Sequence, residues 1–224
     1  MPRTREPQYD FLLDIRDKIG ITPLGLMSNQ VWHDDPRRLG FTLARYKFVS
    51  KMMSGRSSVL EVGCADAFAS RIVLQEVGKL TALDFDPLFI ADVKSRLDPR
   101  WPIDAHVHDM VQGPFAGEFD GAYALDVLEH INSKDEDRFL GNINASLTKN
   151  ATAVYGMPSL ESQVHASPGS KAGHVNCKTG PELKATLSRH FENVFIFSMN
   201  DEVVHTGYHP MAHYLLGLCT TPVR

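Results

Sequence analysis

Two acidic and two imidazole side chains form the most reactive combination in the sequence: Asp126, Glu129 and His130 in one short run, and His174 further along the chain. Such a donor set can bind a divalent metal that polarises a hydroxyl, or can accept a proton directly. An alternative is that Glu129 and His130 only cap and pair around a short helix. The residue types predict His130 and His174 as catalytic residues, acting as a base or through a metal.

A turn of small residues, 61–67 (EVGCADA), lies between a predicted strand and a predicted helix. Small residues let a ligand approach the backbone, and the helix N-terminus offers N–H donors. A dinucleotide site would need a third glycine where this chain has Phe68, and the charge of Glu61 disfavours a pyrophosphate. The turn therefore predicts a nucleoside ligand that carries an ammonium group and no pyrophosphate.

Carboxylates also follow the next two predicted strands. Asp84 ends the second strand, where a carboxylate can accept both hydroxyls of a ribose. Asp86 is better explained as the N-cap of the following helix. Asp109 follows the third strand and could accept the exocyclic amine of adenine, with Phe85 and Met110 packing against the faces of the ring. Each signal is weak alone, but their order at successive strand ends is a strong indication of a nucleoside site.

Strand and helix patterns alternate along the chain. The predicted strands are 58–62, 80–83, 105–107, 119–125, 151–155, 194–197 and about 213–218. The predicted helices are one that begins at 34–36 and ends near 54–55, 69–77, one that starts at Pro87, one with a Ser133/Glu136 capping box and one with a Thr179/Glu182 capping box. This order predicts a Rossmann-like α/β fold, with a mostly parallel seven-stranded sheet and helices on both faces. Since no convincing helix separates the last two strands, we expect an antiparallel hairpin at one edge.

Composition narrows the class of protein. The chain has 224 residues, a formal net charge of −4 and no basic cluster beyond short pairs, which argues against a long nucleic acid as substrate. Its apolar runs are far shorter than the roughly 20 residues of a membrane span, and no secretory signal is visible. The three cysteines are widely spaced and are expected to be free thiols. These features predict a cytoplasmic protein without a membrane partner.

The motifs in succession resemble those of class I S-adenosylmethionine-dependent methyltransferases. They are 59–66 (VLEVGCAD), 82–86 (ALDFD), 108–110 (HDM), 119–120 (FD) and 125–130 (LDVLEH). The branch that the chain most resembles contains the ubiquinone-biosynthesis O-methyltransferases and many sugar methyltransferases, and the resemblance runs from about Arg45 to the C-terminus. Ala65 and Ala67 stand where that family usually has glycines, and alanine is small enough for cofactor binding to survive.

The resemblance implies which residues bind S-adenosylmethionine. It places Glu61, Gly63 and Ala65 at the methionine end, Asp84 at the ribose, Asp109 and Met110 at the adenine, Leu125 near the sulfonium, and Arg45 facing the cofactor. Cys64, in the same turn, and Phe85, next to Asp84, complete the predicted cofactor-binding residues. It also matches the 126–130 run and His174 to a Glu-x-x-Glu-His plus His metal set. Asp126 shortens one arm of that set, so both the presence and the absence of a divalent metal stay open.

These features predict S-adenosylmethionine-dependent methyl transfer to a small molecule, with a hydroxyl favoured and a sugar or polysaccharide precursor suggested by analogy. The alternatives are an N-methyltransferase acting on a small amine, a non-catalytic protein that keeps the fold and, disfavoured by Phe68, a nicotinamide-dependent oxidoreductase. We expect one methyltransferase domain over residues 1–224, with 1–54 as a helical lid or substrate segment and 55–224 as the cofactor-binding core. The sequence does not indicate an oligomeric state.

Overall fold

A computed structural model describes residues 3–224 of the chain. The strands are Val59–Val62 (β1), Leu80–Asp84 (β2), Ile103–Val107 (β3), Phe119–Leu125 (β4), Leu147–Pro158 (β5), Phe191–Asn200 (β6), Val203–His205 (β7) and Tyr214–Pro222 (β8). The helices are Asp10–Ile19 (α1), Leu26–Asp34 (α2), Pro36–Met53 (α3), Ser70–Leu74 (α4), Pro87–Ser95 (α5), Glu136–Ala145 (α6), Pro168–Gly173 (α7) and Gly180–Leu187 (α8). Alternating strands and helices confirm the predicted α/β class.

The strands form one sheet in the order β3-β2-β1-β4-β5-β8-β6-β7. The first five are parallel, and β8, β6 and β7 add antiparallel pairs. Since β1 and β4 are neighbours although β2 and β3 lie between them in sequence, the strand order reverses there. Ligands of open α/β sheets bind beyond the carboxyl ends of the strands at such a switch point.

Helices cover both faces of the sheet, as predicted. Successive residues of a strand point to opposite faces, and in β1 Leu60 packs in the same apolar cluster as α6 and α8, whereas Val59 packs with α3 and α4. A third cluster joins α5 to β2 and β3. Glu61 shares the face of Val59, so its side chain points toward α3 and α4.

The predicted count of seven strands is wrong, because the segment between the last two predicted strands contains β7. Its three residues pair with Ser198–Asn200 of β6 and are too few to show an alternating pattern. The last two predicted strands, β6 and β8, do pair antiparallel, but β8 is inserted between β5 and β6. The edge hairpin is therefore β6–β7.

The helix starts follow the predictions at most positions. Pro36 and Pro87 each occupy the first turn of a helix, Asp86 accepts the N–H of Leu88 as an N-cap, and Thr179 and Glu182 form the predicted capping box. The Ser133/Glu136 box is wrong. Helix α6 starts at Glu136 itself. The side chain of Glu136 forms ion pairs with basic residues that are distant in the sequence and does not cap the helix. Among residues 3–224, none of the helices has the length and apolar character that crossing a membrane requires.

Candidate active site

The turn after β1 has an unusual backbone. Gly63, Ala65 and Ala67 have φ values of +74°, +45° and +49°, in the left-handed region that favours glycine. Gly63 also lies against the loop after β4, because a Cβ built on it would stand 2.3 Å from Cγ2 of Val127. The turn is thereby pressed against the end of β4, and the N–H groups of Gly63 and Cys64 donate to the carbonyl oxygen of Leu83 in β2.

The carboxylate of Asp84 holds this turn to the end of β2. One of its oxygens accepts the N–H of Ala65 and the other accepts the N–H of Asp86, both at 2.9 Å. The residue is only 6% exposed. A carboxylate oxygen has more than one lone pair, so both oxygens can still accept a hydrogen bond from a ligand above the turn.

Glu61 is buried beneath the turn. Tyr46 of α3 donates to Oε1 at 2.8 Å, and Ser70 of α4 donates to Oε2 at 2.6 Å. Burial raises the pKa of the Glu61 carboxyl to about 7, although both hydroxyls favour its ionised form. Cys64 is buried beside it, and burial likewise raises the pKa of its thiol. The structure therefore places Glu61 among side-chain hydroxyls at the base of the turn.

The residues predicted to meet adenine differ in exposure. Phe85 is 73% exposed and stands free above the end of β2, whereas Met110 is 2% exposed and is part of the core. Asp109 accepts the N–H of Val111 at 2.8 Å, which forms a tight turn in the loop after β3. Leu125 ends β4 as a buried residue.

The N-terminal segment contacts the same turn through α2. The carboxylate of Asp66 accepts the backbone N–H of Ser28 at 2.6 Å and its hydroxyl at 3.2 Å. Asp66 and Ser28 are both buried. A Cβ built on Gly25 would lie 2.3 Å from that of Asp66, so this contact requires a glycine.

Arg45 of α3 reaches the residue that follows β4. Its Nη1 donates to both carboxylate oxygens of Asp126, at 3.0 and 2.8 Å, and its guanidinium carbon lies 3.7 Å from the ring centre of Tyr214. Burial by itself would lower the pKa of Arg45, but the charge and hydrogen bond of Asp126, together with Tyr214 and Glu129, outweigh this effect, and the pKa lies above its ordinary value. Asp126 has a left-handed φ of +56°. The sequence offers no signal for the role of Tyr214.

Three of the four predicted reactive side chains come together. Ligand atoms of Glu129, His130 and His174 all lie within 4.8 Å of one another, and the two imidazole rings are 5.2 Å apart. Asp126 is not in this cluster, because its carboxylate is turned to Arg45. The cluster lies beyond the carboxyl end of β4, next to the turn after β1.

Each imidazole of the cluster is oriented by a carbonyl oxygen. Nδ1 of His130 lies 2.9 Å from the carbonyl oxygen of Gly173, and Nδ1 of His174 lies 2.8 Å from Oε1 of Gln163. A carbonyl oxygen only accepts, so both Nδ1 atoms carry the proton and both Nε2 atoms present a lone pair. Burial and the neighbouring His130 lower the pKa of His174, which favours its neutral form. Neither Gly173 nor Gln163 could be recognised from spacing in the sequence.

Glu129 is the unusual member of the cluster. Its side chain is 1% exposed, and neither carboxylate oxygen has a hydrogen-bond partner. Oε1 lies 4.0 Å from Nε2 of His130. Burial, reinforced by the charge of Asp126, raises the pKa of Glu129 well above its ordinary value. A buried carboxylate without partners is costly unless a ligand satisfies it.

Other polar side chains near the carboxyl ends of the strands and on the sheet edge lie outside this cluster. Ser159 is buried and donates to the carbonyl oxygen of Ala212, and His205 contacts Asn200. His190 contacts Asp137. These hydrogen bonds stabilise the loops and the sheet edge and do not involve the cluster.

Comparison with known proteins is consistent with this arrangement. Residues 59–150 match the family model described as a methyltransferase domain, and this range spans the strands β1 to β4 that carry the turn and the strand-end carboxylates. Residues 59–150 thus form a methyltransferase domain, and the chain is a methyltransferase. The cofactor of this methyltransferase is S-adenosylmethionine. No curated protein matches its sequence significantly.

Solved structures share the fold of this methyltransferase. The N-methyltransferase NodS from Bradyrhizobium japonicum WM9, in complex with S-adenosyl-L-homocysteine, is 20% identical with a TM-score of 0.61, over 86% of this chain and 91% of NodS. The methyltransferase domain of bacterial CtHen1 is 15% identical with a TM-score of 0.67, over 82% and 100% of the two chains. A TehB-like S-adenosylmethionine-dependent methyltransferase from Corynebacterium glutamicum is 18% identical with a TM-score of 0.61, over 86% and 95%.

Proposed function

We propose that this methyltransferase transfers the methyl group to a hydroxyl of a small molecule, at a site formed by Glu129, His130 and His174. The observation that carries the proposal is the buried carboxylate of Glu129, which has no hydrogen-bond partner and faces two imidazoles. Methyl transfer is a displacement at a carbon that the sulfonium already activates. The protein must position the two reactants and, for a hydroxyl acceptor, take up its proton.

The residues of the cluster fit a divalent metal. The two Nε2 lone pairs and the unpaired carboxylate form a mixed nitrogen and oxygen donor set, and the hydrogen bonds at Nδ1 orient the imidazoles from behind, as is usual for histidine ligands. A metal bound there would act as a Lewis acid that makes a hydroxyl more acidic. Without a metal, the neutral imidazole of His174 or His130 would accept the proton itself.

The cofactor site that we propose lies over the turn after β1. The free face of Phe85 supports stacking against adenine, and the remaining lone pairs of Asp84 support binding of the ribose hydroxyls. Arg45 and Asp126 would stand at the methionine and sulfonium end, next to Leu125. We keep Glu61, Gly63, Cys64, Ala65, Asp109 and Met110 in the proposed site, with Glu61, Cys64 and Met110 acting from beneath it.

Charge near the cluster supports a small acceptor over a nucleic acid. Asp126 is a second carboxylate near Glu129. The neighbouring cation, Arg45, already forms an ion pair with Asp126. A phosphate backbone would find the guanidinium of Arg45 already occupied by Asp126, whereas a neutral polyol needs no cation. The contact between Ser28 and Asp66 supports residues 1–54 as the segment that covers the site within a single domain. We place this enzyme in the cytoplasm.

Binding and turnover experiments test this proposal in sequence. S-adenosylhomocysteine should raise the melting temperature and NAD should not, with a stabilisation of about 2.7 kcal/mol at 100 times the dissociation constant. A screen of hydroxylated metabolites with labelled S-adenosylmethionine should then identify an acceptor, and a chelator should abolish turnover until Mn²⁺ or Mg²⁺ is restored. Activity that resists the chelator would leave the imidazoles as simple bases, and methylation of amines alone would overturn the hydroxyl assignment.

A further inference from the structure

The segment that follows His174 is anchored by one buried carboxylate, that of Glu136 at the start of α6. Asn176 donates to Oε2 of Glu136 at 2.7 Å, and the ammonium of Lys178 lies 2.7 Å from the same oxygen. Oε1 accepts from Arg189 at 3.1 Å and from Thr186 at 3.4 Å. The Glu136 side chain is 7% exposed and that of Lys178 is 11% exposed. Residues 176–178 are therefore fixed by a buried ion pair.

The same segment is joined directly to the cluster. The carbonyl oxygen of Glu129 accepts the N–H groups of Val175 and Asn176, at 2.9 and 3.0 Å. His174 precedes these residues and is half-buried, while Gly173 before it accepts from His130. Asn176 thus connects the two regions, since its backbone binds Glu129 and its side chain binds Glu136. Any shift of residues 174–176 would move the imidazole of His174 away from Glu129.

We propose that Glu136 is a positioning residue, which fixes residues 176–178 and thereby holds His174 against Glu129 and His130 in the geometry that a divalent metal requires. This inference rests on the metal role in the proposed function. Glu136 itself does not belong to the cluster of ligand atoms. Its effect would reach the metal through the backbone of the segment.

The neighbouring Asp137 provides a matched control. It lies one residue further along α6 and also accepts from Arg189, at 2.8 Å, and contacts His190 at 3.0 Å. Its side chain is 68% exposed, and its hydrogen bonds go to residues 189 and 190, not to the segment after His174. Asp137→Asn removes a charge from the same helix turn without releasing residues 176–178.

The experiment measures Mn²⁺ binding to the purified full chain at fixed pH by calorimetry, without any acceptor. Wild type and Asp137→Asn should agree within twofold, whereas Glu136→Gln should bind Mn²⁺ 10- to 100-fold more weakly, the range typical of residues that orient ligands. Pulsed electron paramagnetic resonance should detect two imidazole nitrogens on Mn²⁺ in wild type. Glu136→Gln should lose one, as His174→Ala does. Affinity for S-adenosylhomocysteine should stay unchanged in each variant.

The possible negative results distinguish a failure of the metal role from a failure of the positioning role of Glu136. If wild type does not bind Mn²⁺, the metal role and this inference are both overturned. If wild type binds and Glu136→Gln keeps both the affinity and the two nitrogens, only the positioning role is overturned. Should Glu136→Gln not fold because Lys178 is left without its partner, Asn176→Ala keeps the ion pair and removes the side-chain hydrogen bonds of Asn176 with Glu136 and Lys178. It should weaken Mn²⁺ binding about tenfold, and unchanged binding would overturn the inference.

Discussion

Arg45 and Asp126 form an ion pair that joins helix α3 to the end of β4, although they are 81 residues apart in sequence. Removal of the guanidinium by Arg45→Ala would leave Asp126 beside Glu129 and would also remove the contact with the ring of Tyr214. Hydrogen bonds to charged groups contribute roughly 1.5–3 kcal/mol, and because Asp126 is partly exposed we expect a loss near the lower limit. Urea unfolding should show the free energy of unfolding lowered by about 2 kcal/mol.

Arg37→Ala is the matched control for that prediction. Arg37 lies in the same helix and pairs with Asp35, but its side chain is 82% exposed. Solvent and salt screen such surface pairs, so Arg37→Ala should lower the free energy of unfolding much less than Arg45→Ala does. Equal losses of unfolding free energy in the two variants would show that the Arg45–Asp126 pair contributes no more to stability than an exposed surface pair.

Substitution of Asp84 should mainly weaken cofactor affinity, whereas substitution of Asp86 should mainly lower the stability of the fold. Asp84→Ala removes the acceptor of the Ala65 N–H and of the proposed ribose contacts, so it should weaken S-adenosylhomocysteine binding by about 1.5–3 kcal/mol. Asp86→Ala removes the cap of α5 and should cost about 1 kcal/mol of stability with little change in affinity. Calorimetry and urea unfolding measure the two effects, and the reverse order of affinities would refute the ribose assignment.

The strained turn yields a prediction about Ala65, one of its two alanines. Ala65 has a left-handed φ of +45°, which costs an L-residue roughly 1–2 kcal/mol, while glycine loses about 0.4–1 kcal/mol through the unfolded state. Ala65→Gly should therefore raise the free energy of unfolding by about 0.5 kcal/mol. Ala82→Gly in β2, a buried strand position, should lower it by at least about 0.5 kcal/mol. A loss of similar size at both positions would refute the presence of strain at Ala65.

Glu61 should make stability depend on pH. Its carboxyl has a pKa of about 7 in the folded chain, above the usual 4.5 of a glutamate. Between these values the folded chain holds a proton that the unfolded chain has released. The stabilisation is thus complete below about pH 4.5 and is lost as the pH rises through 7, by up to about 3 kcal/mol. The difference in unfolding free energy between wild type and Glu61→Gln should fall over this range and then level off.

An exposed carboxyl provides the control for the pH series. Glu118 lies on the surface just before β4, and Glu118→Gln should differ from wild type by less than about 0.5 kcal/mol at every pH. If the difference in unfolding free energy between wild type and Glu61→Gln were equally independent of pH, the buried carboxyl would not be titrating in this range.

Local signals predicted much of the fold and the elements of the site. The strand ends at Asp84 and Leu125 and the caps at Asp86 and Thr179 follow from residues only a few positions apart. Hydrophobic periodicity and helix capping both depend on residues within that short distance along the chain. Apart from the grouping of Glu129, His130 and His174 implied by the resemblance, side-chain contacts between distant elements were not predictable. The pairing of Asp126 with Arg45, and of Glu136 with Lys178, is determined by how strands and helices stack, and no local pattern encodes it.

The two histidines of the cluster give the most direct test of the chemistry. His130→Ala and His174→Ala each remove one Nε2 lone pair that faces Glu129. With an identified acceptor, each should lower turnover by a factor of about 10² to 10⁴, the usual effect of losing a general base. Affinity for S-adenosylhomocysteine, measured by calorimetry, should stay within about twofold of wild type, because neither imidazole lies on the turn after β1.

His190→Ala is the control, since this histidine contacts Asp137 outside the cluster and should leave turnover unchanged. A second comparison separates the two roles open to the imidazoles. If they act through a metal, both cluster variants should weaken Mn²⁺ binding together with turnover. If one imidazole acts as a base alone, its variant should lose turnover in the presence of chelator as well. Near-normal turnover in both variants would make the histidines structural, and the proton acceptor would then be sought at His205 and His209, in the connection between β6 and β8.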